Sequence, residues 1–593
     1  MGCHARPGAR VLRAGLVGLS VSRPRGRADS GIHNNSGSSR AATPGRTRTR
    51  VNDLVSVTNL QVTFPARHDN PEVTAVAGID FHLEAGECLA LVGESGSGKS
   101  VTGRSLLGLV GSDARVSADT FTIDGDDASR YGDKQFKALR GRKIGLVLQD
   151  ALVSLDPLRT VGREVIEPMS IHRTHPRHER VDAAVELLSG VGIPDAASRM
   201  SSSPHELSGG LRQRALIASA LAARPKVLIA DEPTTALDVT VQARILTLLD
   251  RLRQEGTALL LISHDLAVVA ALADRIAVMQ HGRIVEQGPS RQILTAPAHP
   301  YTQTLLAASP SSHTRGRRLT GNGAFTREEL SAEPVLSVSG VRKIFHGRRG
   351  ETRTAVDDVS LTLRRGEVVG IVGESGSGKT TVSRIALGLL APDSGNVTLD
   401  GTLWNSSSGD VREKDRRPHR RRIQPISQDP LGSFDPRFDV ARLISRALTE
   451  SGVDGDHRDR TVELLAQVGL ETAHLSRYPR QLSGGQRQRV AIARALATDP
   501  EILVCDEPVS ALDVSIQAQV LDLLLELRST RKLALLFISH DLGVISHISD
   551  HVHVMKDGRI VESGSVEDIF ARPTHPYTRE LLDSIPSLEA VAR

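Results

Sequence analysis

No stretch of the sequence is long and apolar enough to cross a lipid bilayer, because every apolar run stops well short of 18 residues. The longest runs lie around Ala258–Ile262 and Leu533–Ile538. Runs of this length are typical of strands that are buried on both faces of a parallel sheet. The sequence therefore predicts a chain with no membrane span of its own.

Cysteine is also scarce, with only Cys3, Cys88 and Cys505 among 593 residues. Their spacing shows no pairing pattern, which argues against a disulfide framework and against a zinc site. Cys88 and Cys505 lie in apolar runs. We therefore expect both to be buried free thiols in a reducing compartment.

The chain lacks a basic folded body, although its net charge is +5. Residues 1–50 contain ten arginines and one aspartate, so the rest of the chain carries a net charge of −4. A segment rich in Arg, Gly, Ser and Pro cannot build a core, and we predict a disordered tail over residues 1–50. The overall charge gives no reason to expect a nucleic-acid surface.

What the sequence does contain is an internal repeat with a period of 275 to 280 residues. Five landmarks recur in the same order, and the paired segments are Gly93–Ser100 with Gly373–Thr380, Leu207–Gly210 with Leu482–Gly485, Asp231–Pro233 with Asp506–Pro508, Ser263–Leu266 with Ser539–Leu542, and His299–Thr302 with His575–Thr578. Because the landmarks recur in the same order and at similar spacing, the sequence predicts two copies of one domain. We place the domains at 51–310 and 334–593, joined by a polar, flexible linker over 311–333.

Short apolar runs alternate with helical periodicity in both halves, which predicts an α/β fold. The predicted strands are Val55–Phe64, Glu87–Val92, Val227–Ala230, Ala258–Ile262, Ile502–Cys505 and Ala534–Ile538. The predicted helices are Val101–Leu109, Arg212–Ala223 and Val241–Gln254.

The first landmark, Gly-x-x-x-x-Gly-Lys-[Ser/Thr] between a strand and a helix, is the phosphate-binding loop (P-loop). Its backbone N–H groups and the helix N-terminus attract a polyphosphate, and its glycines allow the close approach. The predicted nucleotide-binding residues are Gly93, Glu94, Ser95, Gly96, Ser97, Gly98, Lys99, Ser100 and Val101 in the first half, and Gly373, Glu374, Ser375, Gly376, Ser377, Gly378, Lys379, Thr380 and Thr381 in the second. We expect each lysine to reach the β- and γ-phosphates of ATP, and Ser100 and Thr380 to bind Mg²⁺.

Two adjacent acids end an apolar strand in each half. We expect Asp231 and Asp506 to hold Mg²⁺. Successive side chains of a strand point to opposite sides, so Glu232 and Glu507 should have a different task, as general bases on the attacking water.

A histidine follows the next buried strand in each half, at His264 and His540. A lone histidine is more often structural. Because these two recur at one offset after the other landmarks, we predict contacts with the γ-phosphate and the general base.

The second landmark, which extends to Leu-Ser-Gly-Gly-x-Arg-Gln-Arg in both halves, resembles the signature of ABC ATPases. With Gln149, Gln428, Ala236-Leu237-Asp238 and Ala511-Leu512-Asp513, the motif order matches that family over about 540 residues. The resemblance implies an α/β fold with two P-loop NTPase (ABC-type) nucleotide-binding domains in tandem, each with an α/β core, an antiparallel β subdomain and a helical subdomain.

The resemblance also implies a head-to-tail sandwich in which each ATP lies between the P-loop of one half and the signature of the other. One composite site would use Lys99, Ser100, Gln149, Asp231, Glu232 and His264 with Ser483, Gly484 and Gly485. The other would use Lys379, Thr380, Gln428, Asp506, Glu507 and His540 with Ser208, Gly209 and Gly210. The two glutamines are expected to serve both catalysis and Mg²⁺, and Phe64 and Phe345 are candidates for stacking on adenine.

The segments after the two glutamines and the repeated His-Pro-Tyr-Thr resemble the dipeptide, oligopeptide and nickel importers. One position differs between the halves, where Leu211 stands opposite Gln486, and this resembles the two unlike ATPase subunits of such importers fused in one chain. The expected partners are two integral-membrane permease subunits and a substrate-binding protein, with the chain peripheral on the cytoplasmic face of a bacterial-type membrane and no nucleic acid bound.

Two other classes stay open on the sequence. A soluble double-ABC ATPase that acts on ribosomes or nucleic acid would share the domain count, but such proteins typically have a long charged helical linker. An exporter ATPase is the third class, and the importer-like segments after Gln149 and Gln428 argue against it.

Overall fold

The computed structural model describes residues 53–66, 71–148, 154–234, 237, 239–321, 323–325, 331–346 and 352–584. The tail predicted over residues 1–50 and the predicted site residue Gln149 lie outside these residues. The two halves of the chain belong to one compact unit. Over the described residues no helix combines the length and the apolar character needed to span a membrane.

The strands of the two halves correspond closely. In the first half they are β1 (Asp53–Phe64), β2 (Val73–Glu84), β3 (Cys88–Val92), β4 (Arg115–Ser117), β5 (Thr120–Ile123), β6 (Asp126–Asp127), β7 (Ile144–Val147), β8 (Val227–Asp231), β9 (Ala258–Ile262), β10 (Arg275–Gln280) and β11 (Arg283–Pro289). In the second half they are β12 (Pro334–His346), β13 (Thr352–Arg364), β14 (Val368–Val372), β15 (Ser394–Leu399), β16 (Thr402–Ser406), β17 (Ile423–Ile426), β18 (Ile502–Asp506), β19 (Ala534–Ile538), β20 (His551–Lys556) and β21 (Arg559–Ser565).

The helices follow the same plan. Those described in the first half are Lys99–Ser105, Asp133–Leu139, Val161–His172, Arg180–Gly190, Ala196–Arg199, Gly209–Leu221, Val239–Gln254, Leu266–Leu272, Ser290–Thr295 and Pro300–Ala307. Those in the second half are Lys379–Ala386, Glu413–Arg416, Pro430–Ser433, Val440–Glu450, Arg458–Gln467, Gly484–Leu496, Val514–Arg531, Leu542–Ile548, Val566–Ala571 and Pro576–Asp583. Short 3-10 helices cover Pro204–Glu206, Ser312–Thr314, Arg417–Arg422, Thr472–His474 and Pro479–Gln481.

Each half is built on a six-stranded sheet, which we call the core sheet. Its order is β11-β10-β3-β9-β8-β7 in the first half and β17-β18-β19-β14-β20-β21 in the second. All neighbours are parallel except the antiparallel pairs β10–β11 and β20–β21. The carboxyl ends of parallel strands meet at one edge, so the segments that follow β3, β8 and β9 lie side by side.

The core sheet is covered on both faces, which explains its continuous apolar strands. Alternate residues of β3 belong to two different cores. Leu89 and Leu91 pack in the cluster of the antiparallel sheet β2-β1-β5-β6, whereas Ala90 and Val92 pack in the cluster that contains the helices. Cys88 and Cys505 are buried and free, as expected, and burial raises the pKa of both thiols.

The segment between the halves packs against the second half over its described residues. The backbone N–H groups of Leu319 and Thr320 donate to the buried carboxylate of Asp522, at 3.0 and 2.9 Å. Thr314 lies 3.0 Å from His547, Oγ1 to Nδ1. The flexibility predicted for the linker 311–333 therefore does not describe this part of it, because hydrogen bonds that the apolar pattern does not reveal attach it to the helix Val514–Arg531.

Candidate functional site

Each P-loop connects the first core strand to a helix through a backbone that only glycine adopts easily. Gly98 and Gly378 precede the helices with φ of 103° and 106°. A Cβ atom at either position would lie within 2.4 Å of the carbonyl oxygen of Ala75 or Ala355. The glycines at these two positions therefore permit both the left-handed turn and the close backbone approach.

The P-loop lysine lies folded into its own loop. Lys99 Nζ donates to the carbonyl oxygens of Gly93 and Glu94, both at 2.7 Å. Lys379 makes the same contacts with Gly373 and Glu374, at 2.7 and 2.8 Å. Burial lowers the pKa of Lys99, and nearby acids only partly offset this effect. An ammonium held in this way places a positive charge within the P-loop, where it can act together with the backbone N–H groups of the loop on an anion.

The P-loop hydroxyls meet the strand-ending aspartates. Ser100 Oγ donates to Asp231 Oδ1 at 2.9 Å, and Thr380 Oγ1 to Asp506 Oδ1 at 3.4 Å. Desolvation raises the pKa of both aspartates. A hydroxyl beside a carboxylate is a pair of hard oxygen donors, which is the chemistry that Mg²⁺ prefers, so the residues present fit that ion.

The second acid of each pair turns toward the histidine of the neighbouring strand. Glu232 and Glu507 both have φ of 50°, a left-handed conformation that costs a non-glycine residue energy. The turn brings a carboxylate oxygen of each within 3.1 Å of the Nδ1 atom of His264 or His540. The paired acids thus have separate neighbours, a hydroxyl for the first and an imidazole for the second.

The histidines and the second glutamate influence one another's protonation. Burial lowers the pKa of His264 and His540, but the partner glutamate more than offsets this, so both lie above the ordinary value. Burial raises the pKa of Glu507, and His540 reverses the effect, so this carboxylate stays ionised. An ionised carboxylate oriented by hydrogen bonds is what a general base requires.

Gln428 completes this arrangement in the second half, because its Nε2 atom donates to Glu507 Oε2 at 2.8 Å. Its counterpart, Gln149, is predicted to serve catalysis and Mg²⁺ in the first site, and that position lies outside the described residues.

A cavity of about 440 Å³ lies over the second P-loop. The residues that line it are Leu237, Phe345, Arg353, Ala355, Ser375, Gly376, Gly378, Lys379, Thr380, Thr381, Gln428, Glu507 and His540. This volume suits a nucleotide-sized ligand. Predicted P-loop, base, histidine and glutamine residues therefore share one space, and the partly exposed ring of Phe345 forms part of its wall.

The two candidate aromatic residues differ in their surroundings. Phe345 lines the cavity of the second half. Phe64 is partly buried and packs against the apolar core of the antiparallel sheet in the first half. Arg353, opposite Phe345 in the strand pair, also lines the cavity and donates to Gly376 O at 3.1 Å. No sequence motif indicates Arg353 as a site residue. It reaches the cavity because the antiparallel pairing of β12 with β13 puts it opposite Phe345.

The signature segments begin helices of 13 residues. Ser208 and Ser483 are the N-caps, and each hydroxyl accepts a hydrogen bond from the backbone N–H three residues on, at 3.4 and 3.2 Å. In the second half Gln486 Oε1 also accepts from Ser483 N at 3.0 Å, which completes a capping box. Leu211 has no side-chain acceptor, so the substitution leaves the first helix with half of this cap.

The halves face each other through the segments that follow the acid pairs. Leu237 of the first half lines the cavity of the second, and Thr240 Oγ1 donates to Glu374 Oε1 at 2.8 Å. In the other direction, the charge of Asp513 acts on Lys99 and Tyr301 of the first half. The second P-loop therefore lies next to a segment of the first half, and the first P-loop lies within range of a charge of the second half.

Two residues that were not predicted as site residues reach the P-loops. The hydroxyls of Tyr301 and Tyr577 accept hydrogen bonds from the backbone N–H groups of Glu94 and Glu374, at 3.0 and 3.2 Å. The signal for both tyrosines in the sequence is their place in the repeated His-Pro-Tyr-Thr, which on its own indicates the family and no site role.

Comparison with known proteins identifies the fold. The profile of the ABC transporter family matches residues 76–235 and 356–510. This chain belongs to the ABC transporter ATP-binding family. A second profile, the oligopeptide/dipeptide transporter C-terminal region, matches residues 285–333 and 561–593.

Similar curated proteins match this chain over about nine-tenths of its length. The chain is 43% identical over 554 residues to the peptidoglycan transport ATP-binding protein YejF of Agrobacterium fabrum, covering 92% of this chain and 98% of that protein. It is 42% identical over 564 residues to the glutathione import ATP-binding protein GsiA of Salmonella paratyphi A, covering 90% of each. The predictions of the α/β tandem fold and of an ABC-type, transport-coupled ATPase are thereby confirmed.

Among solved structures, the archaeal ribosome recycling factor aABCE1, in complex with the ribosomal stalk protein aP1, has a TM-score of 0.55 and 21% sequence identity. The match covers 85% of this chain and 90% of that one. At this identity the similarity shows the shared double-cassette fold alone.

Proposed function

We propose that this ATPase energises an importer of small peptides, in the di- and oligopeptide or glutathione class. The observation that carries the proposal is the oligopeptide/dipeptide C-terminal region matched after both cassettes, together with relatives named for glutathione import and peptidoglycan transport. The proposed partners are two permease subunits and a substrate-binding protein, with the chain peripheral on the cytoplasmic face of the membrane.

In the first ATP site, we propose that Lys99 and the backbone N–H groups of the P-loop hold the phosphates. Ser100 and Asp231, with Gln149, would hold Mg²⁺, which when bound neutralises charge on the phosphates. Glu232 accepts the proton of the attacking water, and His264 keeps that carboxylate oriented through its 3.1 Å contact.

The second site has the same assignments, with Lys379 on the phosphates, Thr380, Asp506 and Gln428 for Mg²⁺, Glu507 as the base and His540 beside it. Phe345 is proposed to stack on adenine, because it lines the cavity over this P-loop. We extend this role to Phe64 only by its equivalent position at the end of β1.

Each site is proposed to be completed by the signature of the opposite half, with Ser483, Gly484 and Gly485 serving the first and Ser208, Gly209 and Gly210 the second. The contact between Thr240 and Glu374 supports this pairing, because it places the first half against the second P-loop. Closure on ATP and reopening after hydrolysis would then move both halves together and transmit motion to the permeases.

Uptake by living cells tests the proposal. Cells from which the gene has been deleted would be complemented with the wild type, with the Glu232→Gln/Glu507→Gln double variant, or with Asp499→Ala. Asp499 has a largely exposed side chain on the surface of the second half, which makes it a matched control. Import of labelled glutathione and of labelled dipeptides would be measured separately.

We expect the wild type and Asp499→Ala to restore uptake of one of these cargoes and the double variant not to do so. Loss of a general base lowers turnover by about 10²- to 10⁴-fold at each site. Uptake that is independent of the chain for every peptide tested, with the chain recovered on ribosomes instead of membranes, would overturn the import proposal in favour of the ribosomal alternative.

A further inference from the structure

The repeated His-Pro-Tyr-Thr has a definite local structure that the ATP chemistry above does not use. In the first half it starts the helix Pro300–Ala307, with His299 as N-cap accepting a hydrogen bond from the backbone N–H of Tyr301 at 3.2 Å. Glu286 accepts from the backbone N–H of His299 at 3.2 Å and so attaches the helix start to β11. Proline fits the first helical position, where its missing N–H costs nothing. The motif therefore fixes where its tyrosine points.

The second half repeats the arrangement. His575 accepts from the backbone N–H of Tyr577 at 3.2 Å, and Glu562 accepts from the backbone N–H of His575 at 3.1 Å. Here Lys556 Nζ lies 4.3 Å from the centroid of the Tyr577 ring, a cation–π contact that holds the ring from one face. Two independent copies of the motif thus deliver a tyrosine hydroxyl to the same place.

That place is a single peptide unit of the P-loop. In the first half the peptide between Gly93 and Glu94 is held on both sides, with its carbonyl oxygen 2.7 Å from Lys99 Nζ and its N–H group 3.0 Å from Tyr301 Oη. A peptide bond is planar, so fixing its N–H group also fixes its carbonyl oxygen. The tyrosine hydroxyl therefore determines the position of an acceptor that holds the P-loop lysine.

In the second half the same residue of the loop also contacts the other cassette. Glu374 donates its backbone N–H to Tyr577 Oη at 3.2 Å, while its carboxylate accepts from Thr240 of the first half at 2.8 Å. Glu374, a residue of the second P-loop, therefore links Tyr577 to the first half of the chain.

We propose that Tyr301 and Tyr577 are positioning residues of the two ATP sites, whose hydroxyls hold the first peptide of each P-loop in the orientation that binds phosphate. This inference rests on ATP binding at these loops and not on the identity of the cargo. The C-terminal His-Pro-Tyr-Thr is accordingly a part of the nucleotide site, supplied from some 200 residues away in each half.

The Tyr301→Phe/Tyr577→Phe double variant tests the proposal, because phenylalanine keeps the ring and its packing and removes only the hydroxyl. Losing one hydrogen bond at each loop should raise KM for ATP by about two- to tenfold. The loop contacts phosphate in the ground state and the transition state alike, so kcat should stay within about twofold. The control is Tyr131→Phe, whose ring packs on Phe136 in the first half.

Hydrogen exchange of the purified chain, followed by mass spectrometry, provides a second readout. The double variant should show faster amide exchange in peptides that contain Glu94 and Glu374, with no change in Tyr131→Phe. A purely structural role would lower the melting temperature and leave KM and P-loop exchange unchanged, and that result would overturn the proposal. Because both measurements use ATP and the isolated chain, they remain decisive even if no peptide is imported.

Discussion

The buried carboxylate of Asp522 offers a quantitative test of how the segment between the cassettes is held. It accepts three hydrogen bonds, from Leu319 N at 3.0 Å, Thr320 N at 2.9 Å and Thr320 Oγ1 at 2.6 Å. Its residue is only 3% exposed. Hydrogen bonds to a charged group contribute about 1.5–3 kcal/mol each and do not add fully. We therefore expect Asp522→Ala to weaken local docking of the segment by about 2–4 kcal/mol.

Limited trypsin digestion measures this loss, because Arg315, Arg317 and Arg318 lie in the docked segment. When opening is fast relative to cleavage, the rate follows the population of the open form. A loss of about 2 kcal/mol should therefore speed cleavage there by about 30-fold.

The control variant for this digestion is Asp499→Ala, in which an exposed carboxylate loses a single ion pair with Arg531 at 3.4 Å. Exposed pairs contribute about 0–1 kcal/mol, so this variant should be cut at nearly the wild-type rate. Cleavage of Asp522→Ala within twofold of the wild type would refute the reasoning.

Two further predictions concern the helix caps and the histidines. Gln486→Leu should remove the glutamine half of the second capping box and lower the free energy of unfolding by about 0.5–1 kcal/mol. Leu211→Gln should supply that half to the first helix and raise it by a similar amount. The melting temperatures of the two variants measure both changes. Equal and like shifts would contradict this. The pKa of His540 is raised in the folded chain, since Glu507 more than offsets burial, so its stabilising effect is complete below about pH 6.5 and is lost as pH rises through the raised value. The melting temperature should therefore fall more for His540→Gln at pH 6 than at pH 9, and an equal fall at both would count against the ion pair.

The core strands could be predicted closely from the sequence. Ala258–Ile262 and Ala534–Ile538 have the predicted bounds, because a strand buried on both faces is a continuous apolar run that ends where polar residues begin. Helix starts were predicted less well. The helix predicted over Arg212–Ala223 is Gly209–Leu221, since it begins directly after its cap Ser208, three residues before the predicted start.

The motifs also grouped the chemistry of the second site, where Lys379, Glu507, Gln428 and His540 line one cavity. The motifs could not indicate contacts that arise only from tertiary packing. The hydrogen bond from Glu94 to Tyr301 spans 207 residues and that from Thr240 to Glu374 spans 134, and neither leaves a local pattern in the chain.

We propose above that each ATP site combines the catalytic residues of one half with the signature of the other. Steady-state ATP turnover of two double variants tests it. Glu232→Gln with Ser483→Arg places both changes in one composite site, whereas Glu232→Gln with Ser208→Arg places one change in each. We predict that the first variant retains turnover at its intact site and that the second loses about 10²- to 10⁴-fold. The reverse order, or equal activity in the two variants, would contradict the account.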